Sequence, residues 1–153
     1  FLHYFAWCRA VPGRDRAAKV NAALERVDLT GQRRVKVPAL SGGQYRRLLL
    51  AQAMVHDPAV VILDEPSVGL DPQQRAGFRR LVAAAGRDRV VLFSTHVLED
   101  VADVADSVAV LHERDIRFSG TLDELADLAA PGDDRPRRLE EAFGRIVLAG
   151  TAG

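Results

Sequence analysis

The chain has 153 residues and 48% hydrophobic content, which suffices for one globular domain with a core of its own. Its 21 basic and 21 acidic side chains cancel, so the overall charge gives no reason to propose a nucleic acid as partner. The single Cys8 cannot form an internal disulfide, and we expect it to be a small buried side chain in a reducing compartment. No apolar run approaches the roughly 20 residues of a membrane span, so we expect a soluble chain or one held at a membrane by a partner.

The first third of the chain has a helical pattern. Residues 1–9 are expected to form a short aromatic helix whose rings pack in the core, with contact to a partner protein as the alternative. Residues 15–29 repeat apolar side chains at helical spacing, and Gly31 follows as a stop. Because the chain begins at Phe1 rather than Met, we also expect it to be a piece of a longer protein.

A second strong helix is predicted to begin at the sequence LSGGQ, residues 40–44. Ser41 is a favourable N-cap, and the two glycines after it leave backbone amides uncovered at the helix start. Such a terminus can bind an anion, although an ordinary glycine-containing cap is the alternative. Leu48, Ala51 and Val55 are predicted to form the buried stripe of this helix, with Met54 as a core residue.

Residues 60–63 are an unbroken apolar run, which is typical of a strand buried on both faces. The run ends in two adjacent carboxylates, Asp64 and Glu65, before Pro66 blocks further pairing and Gly69 permits a tight turn. Ligands bind at the carboxyl ends of parallel strands, so one acid here is placed to hold a hydrated cation and the other a water. A solvated turn is the alternative.

The remaining elements alternate between helices and strands. Asp71 is expected to cap a helix that stops at Gly86, and residues 90–93 are expected to form a second buried strand that leads to His96. A helix is expected over residues 98–105 and a strand over residues 107–111, followed by a hairpin strand over residues 116–118 that Gly120 ends. A polar linker over residues 131–138 and a short amphipathic helix over residues 139–147 complete the chain. Thr121 and Glu124 form a capping-box pattern between the hairpin and the linker.

The order of three motifs is highly specific: LSGGQ at 40–44, VVILDEP at 60–66 with LD at 70–71, and STH at 94–96. In this order they resemble the second half of an ATP-binding cassette ATPase, and the tail after residue 120 is similar to that of drug-exporter-type cassettes. The resemblance implies an α/β fold: a P-loop NTPase-type core without its amino-terminal part, with a mostly parallel sheet flanked by helices.

The resemblance also implies a division of the chain. Residues 1–56 would be part of the helical subdomain that carries the signature motif. Residues 57–130 would be part of the catalytic core, and residues 131–153 a linker and a short terminal helix.

The resemblance implies roles for the acids and the histidine. Asp64 matches the Walker B aspartate, which holds Mg²⁺ largely through its water shell. Glu65 matches the carboxylate that orients and activates the attacking water, and His96 matches the switch histidine that contacts the γ-phosphate of ATP.

The glycine-opened helix matches the signature loop, whose hydroxyl and amides embrace a γ-phosphate bound mainly by the opposite subunit. Two ATPase subunits would therefore sandwich the nucleotide, and Asp71 matches the D-loop aspartate at their junction. Gln44 and Arg47 match positions behind the loop that fix its geometry. The residues assigned to the signature are Ser41, Gly42, Gly43 and Gln44.

The sequence departs from the family pattern in one major respect. A phosphate-cradling loop needs G-x-x-x-x-G-K-[ST], but Lys19 and Lys36 follow Ala18 and Val35 instead of glycine. No residue is assignable to the Q-loop glutamine or to the aromatic that stacks on adenine. We therefore expect this stretch alone to be inactive. Gln52, where relatives often have Arg, and the Arg114-Asp115 turn are expected to be tolerated.

Three functions are compatible with these motifs. The first is an ATP-hydrolysing subunit, requiring ATP and Mg²⁺, that drives export through a separate membrane-spanning partner from the cytoplasmic face of the membrane. The second is a non-transport cassette protein acting on ribosomes or DNA, although no nucleic-acid contact is expected from the charge. The third is a truncated cassette without ATPase activity of its own.

Overall fold

A computed structural model describes residues 1–130 and 134–150, which form two compact units, Phe1–Ser94 and Thr95–Gly153. The predicted division at residues 56 and 130 stays a prediction. Within the part of the chain that the structure describes, no helix is both long and apolar enough to cross a membrane.

The first unit combines four helices with a pair of strands. Its elements are α1 (Leu2–Cys8), α2 (Gly13–Arg26), α3 (Gly42–Met54), β1 (Val60–Leu63), α4 (Pro72–Gly86) and β2 (Val90–Phe93), with two short 3₁₀ turns before α3. The predicted stripe of α3 is confirmed, because Leu48, Ala51, Val55 and also Met54 are buried. Helix α2 ends at Arg26, before Gly31, because Asp28 turns the chain with a left-handed φ of 54°.

Helix α1 corrects two expectations. Its buried side chains are Leu2 and Ala6, one turn apart, whereas Tyr4 and Trp7 are 60% and 61% exposed. The rings pack on one another instead of in the core, with the Tyr4 and Trp7 centroids 6.0 Å apart. Cys8 is also exposed, because only the stripe of Leu2 and Ala6 faces the core.

The two strands of the first unit are parallel, and residues 60–63 pair in register with residues 90–93. The expectation that both faces are buried is wrong. Val61 is buried, but Ile62 and Leu92 are 71% and 60% exposed. Helices α3 and α4 contact the strands, yet only one face is covered, and each strand of this pair has one unpaired edge within the described residues.

The second unit packs three helices around an antiparallel hairpin. Its elements are α5 (Leu98–Ala102), β3 (Ser107–His112), β4 (Asp115–Thr121), α6 (Leu122–Ala126) and α7 (Arg135–Gly150). The core contains Val101, Val110, Leu122, Leu125, Leu139 and Ala142. Thr121 caps α6 in the predicted capping box with Glu124.

Several boundaries in the second unit differ from prediction. Helix α5 stops at Ala102, and β4 continues past Gly120 to Thr121 because its pairing with β3 extends that far. Helix α7 begins at Arg135, inside the predicted linker, because Arg135 and Arg138 pair with Asp123 and Asp127 of the preceding helix region. Residues 131–133 and 151–153 lie outside the described residues.

Candidate functional site

The start of α3 is a closed capping box. Ser41 Oγ accepts a hydrogen bond from the Gln44 amide at 3.3 Å, and Gln44 Oε1 accepts one from the Ser41 amide at 3.0 Å. Gln44 is thereby tied back to Ser41 at the helix start. Because Ser41 Oγ accepts this bond, its hydroxyl hydrogen can still be donated to a ligand. The amides of Gly42 and Gly43 lie in the first turn, where backbone N–H groups have no acceptor within the helix and can donate to a ligand.

Asp64 and Glu65 follow β1 and are joined to the end of β2 by Ser94. The Ser94 hydroxyl donates to Asp64 Oδ1 at 2.5 Å and accepts from the Glu65 amide at 2.9 Å. The Ser94 amide donates to the Leu63 carbonyl at 2.9 Å, which continues the parallel pairing by one residue. One hydroxyl therefore bonds to the carboxylate of Asp64 and to the backbone amide of Glu65.

Sequence reasoning did not assign Ser94 a role. The available signal was the register: Leu63 pairs with Phe93, so the next residues of the two strands, Asp64 and Ser94, are neighbours. Glu65 has a φ of 42°, in the left-handed region that is costly for a residue with a side chain. The bond from its amide to Ser94 supports that conformation.

The loop from Pro66 to Asp71 connects these acids to α4. Gly69 has a φ of 80°, as the predicted tight turn requires, and Ser67 is buried. Arg46 of α3 donates to the Val68 carbonyl at 3.0 Å. Asp71 Oδ1 accepts from the Gln74 amide at 2.8 Å, which confirms the predicted cap of α4.

A cavity of about 380 Å³ lies between α3 and α4. Its lining includes Ser41, Gly43, Arg47, Gln74 and Arg80. Arg47 also donates to the Asp28 carbonyl and carboxylate, both at 3.4 Å, so it anchors α3 to the turn after α2. Asp28 also lines the cavity and pairs with Arg47, so the wall carries charges of both signs.

His96 belongs to the second unit and is exposed. The residue before it, Thr95, accepts a hydrogen bond from the Val97 amide through its side chain at 3.0 Å. This short turn fixes the backbone on both sides of His96 just before α5 begins. The imidazole is therefore presented on an ordered turn and not on a loose loop.

The oxygen groups at the strand ends fit a magnesium ion. Among the described residues, no group of three or more His, Cys, Asp and Glu comes together to cage a metal. Mg²⁺ does not need such a cage, because it usually takes one or two carboxylates and completes its shell with substrate phosphates and water. Asp64 is exposed and offers a carboxylate of this kind.

A separate charged cluster, around Asp57, has no place in this site. A hydrogen bond from Lys19 and a second from Arg26 hold the pKa of Asp57 below its ordinary value of 3.8, against the opposing effect of burial. Both cations lie on α2, and Asp57 lies between α3 and β1. Lys19 thus has a structural role as a partner of Asp57, which agrees with the absence of a glycine before it in the sequence.

Comparisons with known proteins point in one direction. The sequence profile of the family described as "ABC transporter" matches residues 6–68. The chain is 42% identical over 120 residues to the energy-coupling factor transporter ATP-binding protein EcfA2 of Symbiobacterium thermophilum, an alignment that covers 74% of this chain and 42% of the relative. It is 42% identical over 97 residues to the Nod factor export ATP-binding protein I of Burkholderia lata, covering 63% and 32%.

Solved structures agree in fold. A metal-chelate type ABC transporter in an inward-facing conformation superposes with a TM-score of 0.70 at 24% identity, covering 78% of this chain and 50% of that one. The α/β core of the P-loop NTPase type is thereby confirmed. The chain spans less than half the length of these curated relatives. By sequence and by fold, it belongs to the ATP-binding cassette (ABC) family of transporter ATPases.

Proposed function

We propose that this chain carries the signature loop, the Walker B acids and the switch histidine of an ATP-hydrolysing transporter subunit. The observation that carries the proposal is the Ser94 hydroxyl, which bonds to the Asp64 carboxylate and to the Glu65 backbone amide at the end of a parallel strand pair. Adjacent acids at that edge are suited to hold a metal ion and to activate water. The matching family and its transporter relatives support the same assignment.

Each group has a distinct task in this proposal. Glu65 accepts a proton from the attacking water, which is worth roughly 10²–10⁴ in rate. Asp64 holds Mg²⁺, whose charge, when it is bound, offsets that of the phosphates. His96 donates a hydrogen bond to the γ-phosphate as charge spreads over its oxygens.

The signature loop serves a second nucleotide-binding subunit. Ser41 and the amides of Gly42 and Gly43 would bind the γ-phosphate of ATP held by that subunit, with Asp71 at the junction. The open space in front of Gly42, where an added Cβ meets nothing within 4 Å, supports an approach from outside the chain. Hydrolysis would therefore require a dimer.

The 153 residues alone should not hydrolyse ATP. The β- and γ-phosphates need a glycine-rich loop with a lysine, and neither Lys19 nor Lys36 follows a glycine. Lys19 is already paired with Asp57. We infer that the phosphate cradle comes from other residues of the native polypeptide.

We further propose that the subunit works at the inner face of the membrane with a separate membrane-spanning partner, and that the direction is export. The similarity to the Nod factor export protein supports this direction. The specificity for the transported substrate would reside in the partner.

Glu65→Gln tests the proposal in the native full-length polypeptide with its membrane partner. The change keeps the shape of the side chain but removes the base, so the ATPase rate should fall by about 100-fold or more while Mg²⁺-dependent ATP binding persists. Export across the membrane should stop when ATP hydrolysis is lost. Glu25→Gln, an exposed change on α2, is the matched control and should leave the rate unchanged. Undiminished hydrolysis in the Glu65 variant would disprove the assignment.

A further inference from the structure

Gly42 and Gly43 are neighbours in sequence but lie in different surroundings. A Cβ placed on Gly43 would lie 3.0 Å from Cδ, 3.1 Å from Oε1 and 3.2 Å from Cγ of Gln74. A Cβ placed on Gly42 would meet no atom within 4 Å. Gly43 is buried, whereas Gly42 is exposed.

The backbone does not require glycine at either position. Both residues belong to the first turn of α3, and neither has a positive φ, so the backbone at each position would accept alanine. The reason that glycine occupies each position therefore lies in its surroundings and not in its own dihedral angles. For Gly43 that reason is on the same chain, since the carboxamide of Gln74 occupies the space that a side chain would need.

Gln74 also belongs to the first turn of α4. Its amide donates to Asp71 at 2.8 Å, so one residue completes the cap of α4 and contacts the start of α3. Arg46 provides a second tie, through its bond to the Val68 carbonyl in the loop that precedes Asp71. The first turns of the two helices are thus held together by side chains from both.

We propose that Gln74 is a positioning residue for the signature loop. Its side chain packs on Gly43, sets the first turn of α3 against that of α4, and is the reason that position 43 has no side chain. Gly42 is glycine for a different reason: the space in front of it stays open for the γ-phosphate. The inference rests on the proposed function only for the identity of that phosphate.

The expected displacement is small but acts at the reacting phosphate. A methyl group on residue 43 must push the carboxamide of Gln74, or the turn of α3, by a few tenths of an ångström. The shift would be divided between the exposed Gln74 side chain and the turn of α3, and it is small enough for the fold to persist. The amides that face the phosphate move with the turn, and misplacement of such groups lowers the rate of the chemical step.

The test is a rescue experiment in the native full-length polypeptide with its membrane partner. Gly43→Ala should lower kcat by roughly tenfold with a change in the unfolding midpoint of less than about 2 °C. Adding Gln74→Ala vacates the space above residue 43, so the double variant should regain most of the lost kcat. The effects of the two changes should therefore be far from multiplicative.

Gly42→Ala is the matched control. It places the same methyl group one residue earlier, where Gln74 does not reach, so Gln74→Ala should not restore its activity. Gln73→Ala, next to Gln74 on α4, should not rescue Gly43→Ala. Equal deficits of Gly43→Ala with either residue at position 74 would overturn the inference, and so would rescue of both glycine variants.

Thermal unfolding of the same variants tests the contact between residue 43 and Gln74 without measuring ATP hydrolysis. The change Gly43→Ala should raise the unfolding midpoint more when residue 74 is alanine than when it is glutamine, because the helix preference for alanine is then unopposed. Equal shifts in the two backgrounds would overturn the inference. If the native protein had no ATPase activity, the proposed function would be contradicted. The unfolding of the single and double variants at positions 43 and 74 would still decide whether Gln74 contacts residue 43 as inferred.

Discussion

The Ser94 hydroxyl ties the end of β2 to the residues that follow β1. It donates to the Asp64 carboxylate, 30 residues away, and accepts from the Glu65 amide, 29 residues away. The parallel register of β1 and β2 brings these groups together.

Ser94→Ala should lower the ATPase rate of the native full-length protein by about tenfold, because the tie that orients both acids is lost. The Glu65 amide would lose its acceptor, and Asp64 would lose a charge-assisted bond. Steady-state kinetics should place most of the loss in kcat rather than in the KM for ATP.

Ser94→Thr keeps the hydroxyl and should retain most of the activity. Ser119→Ala removes an exposed hydroxyl from β4 and should have no effect. If Ser94→Ala is fully active, the hydroxyl does not position the acids.

Single residues in this chain are predictable when their partners are close in sequence. Ser41 and Asp71 cap their helices as expected, because each accepts a hydrogen bond from an amide three residues later. Ser94 was not predicted to have a role because its partners lie 29 and 30 residues away.

At the scale of helices and strands, the sequence predicts well which segments are helices and which are strands. It predicts less well which faces of the strands are buried. The apolar runs at residues 60–63 and 90–93 are strands, but one of their faces is open. An unbroken apolar run predicts that both faces of a strand are covered by other parts of the protein. The described residues supply that cover on one face only.

The contact between α2 and the turn after α3 depends on the charge of Asp57. Lys19 and Arg26 pair with its carboxylate, and Arg89 lies 3.9 Å away. Asp57→Asn should lower the free energy of unfolding by about 1 kcal/mol at pH 7, a modest value because the side chain is 34% exposed. Asn also accepts the left-handed φ of 50° at this position, so the backbone is not strained.

The effect should depend on pH in a defined direction. The folded pKa of Asp57 lies below the ordinary 3.8, so the stabilisation is complete above pH 3.8 and is lost as the pH falls through the folded value. Denaturant unfolding of the native protein and of Asp57→Asn should therefore differ at pH 7 and converge in strong acid. Asp28→Asn, in a similar left-handed turn but far more exposed, should change stability little at either pH. A gap that persists in acid would assign the effect to something other than the charge.

At the scale of the whole molecule, the uncovered face of the parallel pair predicts association. Val60 pairs with Val90, and Ile62 with Leu92, so four exposed apolar side chains form one continuous patch. It lies beside strand edges with which no other described strand pairs. Such a surface is a template for self-association. The 153-residue polypeptide, produced alone, should therefore form concentration-dependent aggregates or a loosely packed state.

Replacing Ile62 and Leu92 together by Thr should reduce this association, because threonine keeps the strand preference while removing apolar surface. Leu111 and Ile116, paired and similarly exposed on the hairpin of the second unit, provide the matched double substitution. Light scattering across a concentration series should show a clear decrease for the first pair and a smaller one for the second. The next exposed pair along the hairpin, Ala109 and Ser119, adds no large apolar side chain, whereas Val60 and Val90 extend the patch of Ile62 and Leu92. A wild-type polypeptide that stays monomeric and unfolds in one sharp cooperative transition would mean that the open face is tolerated as it stands, and the argument from exposed strands would fail.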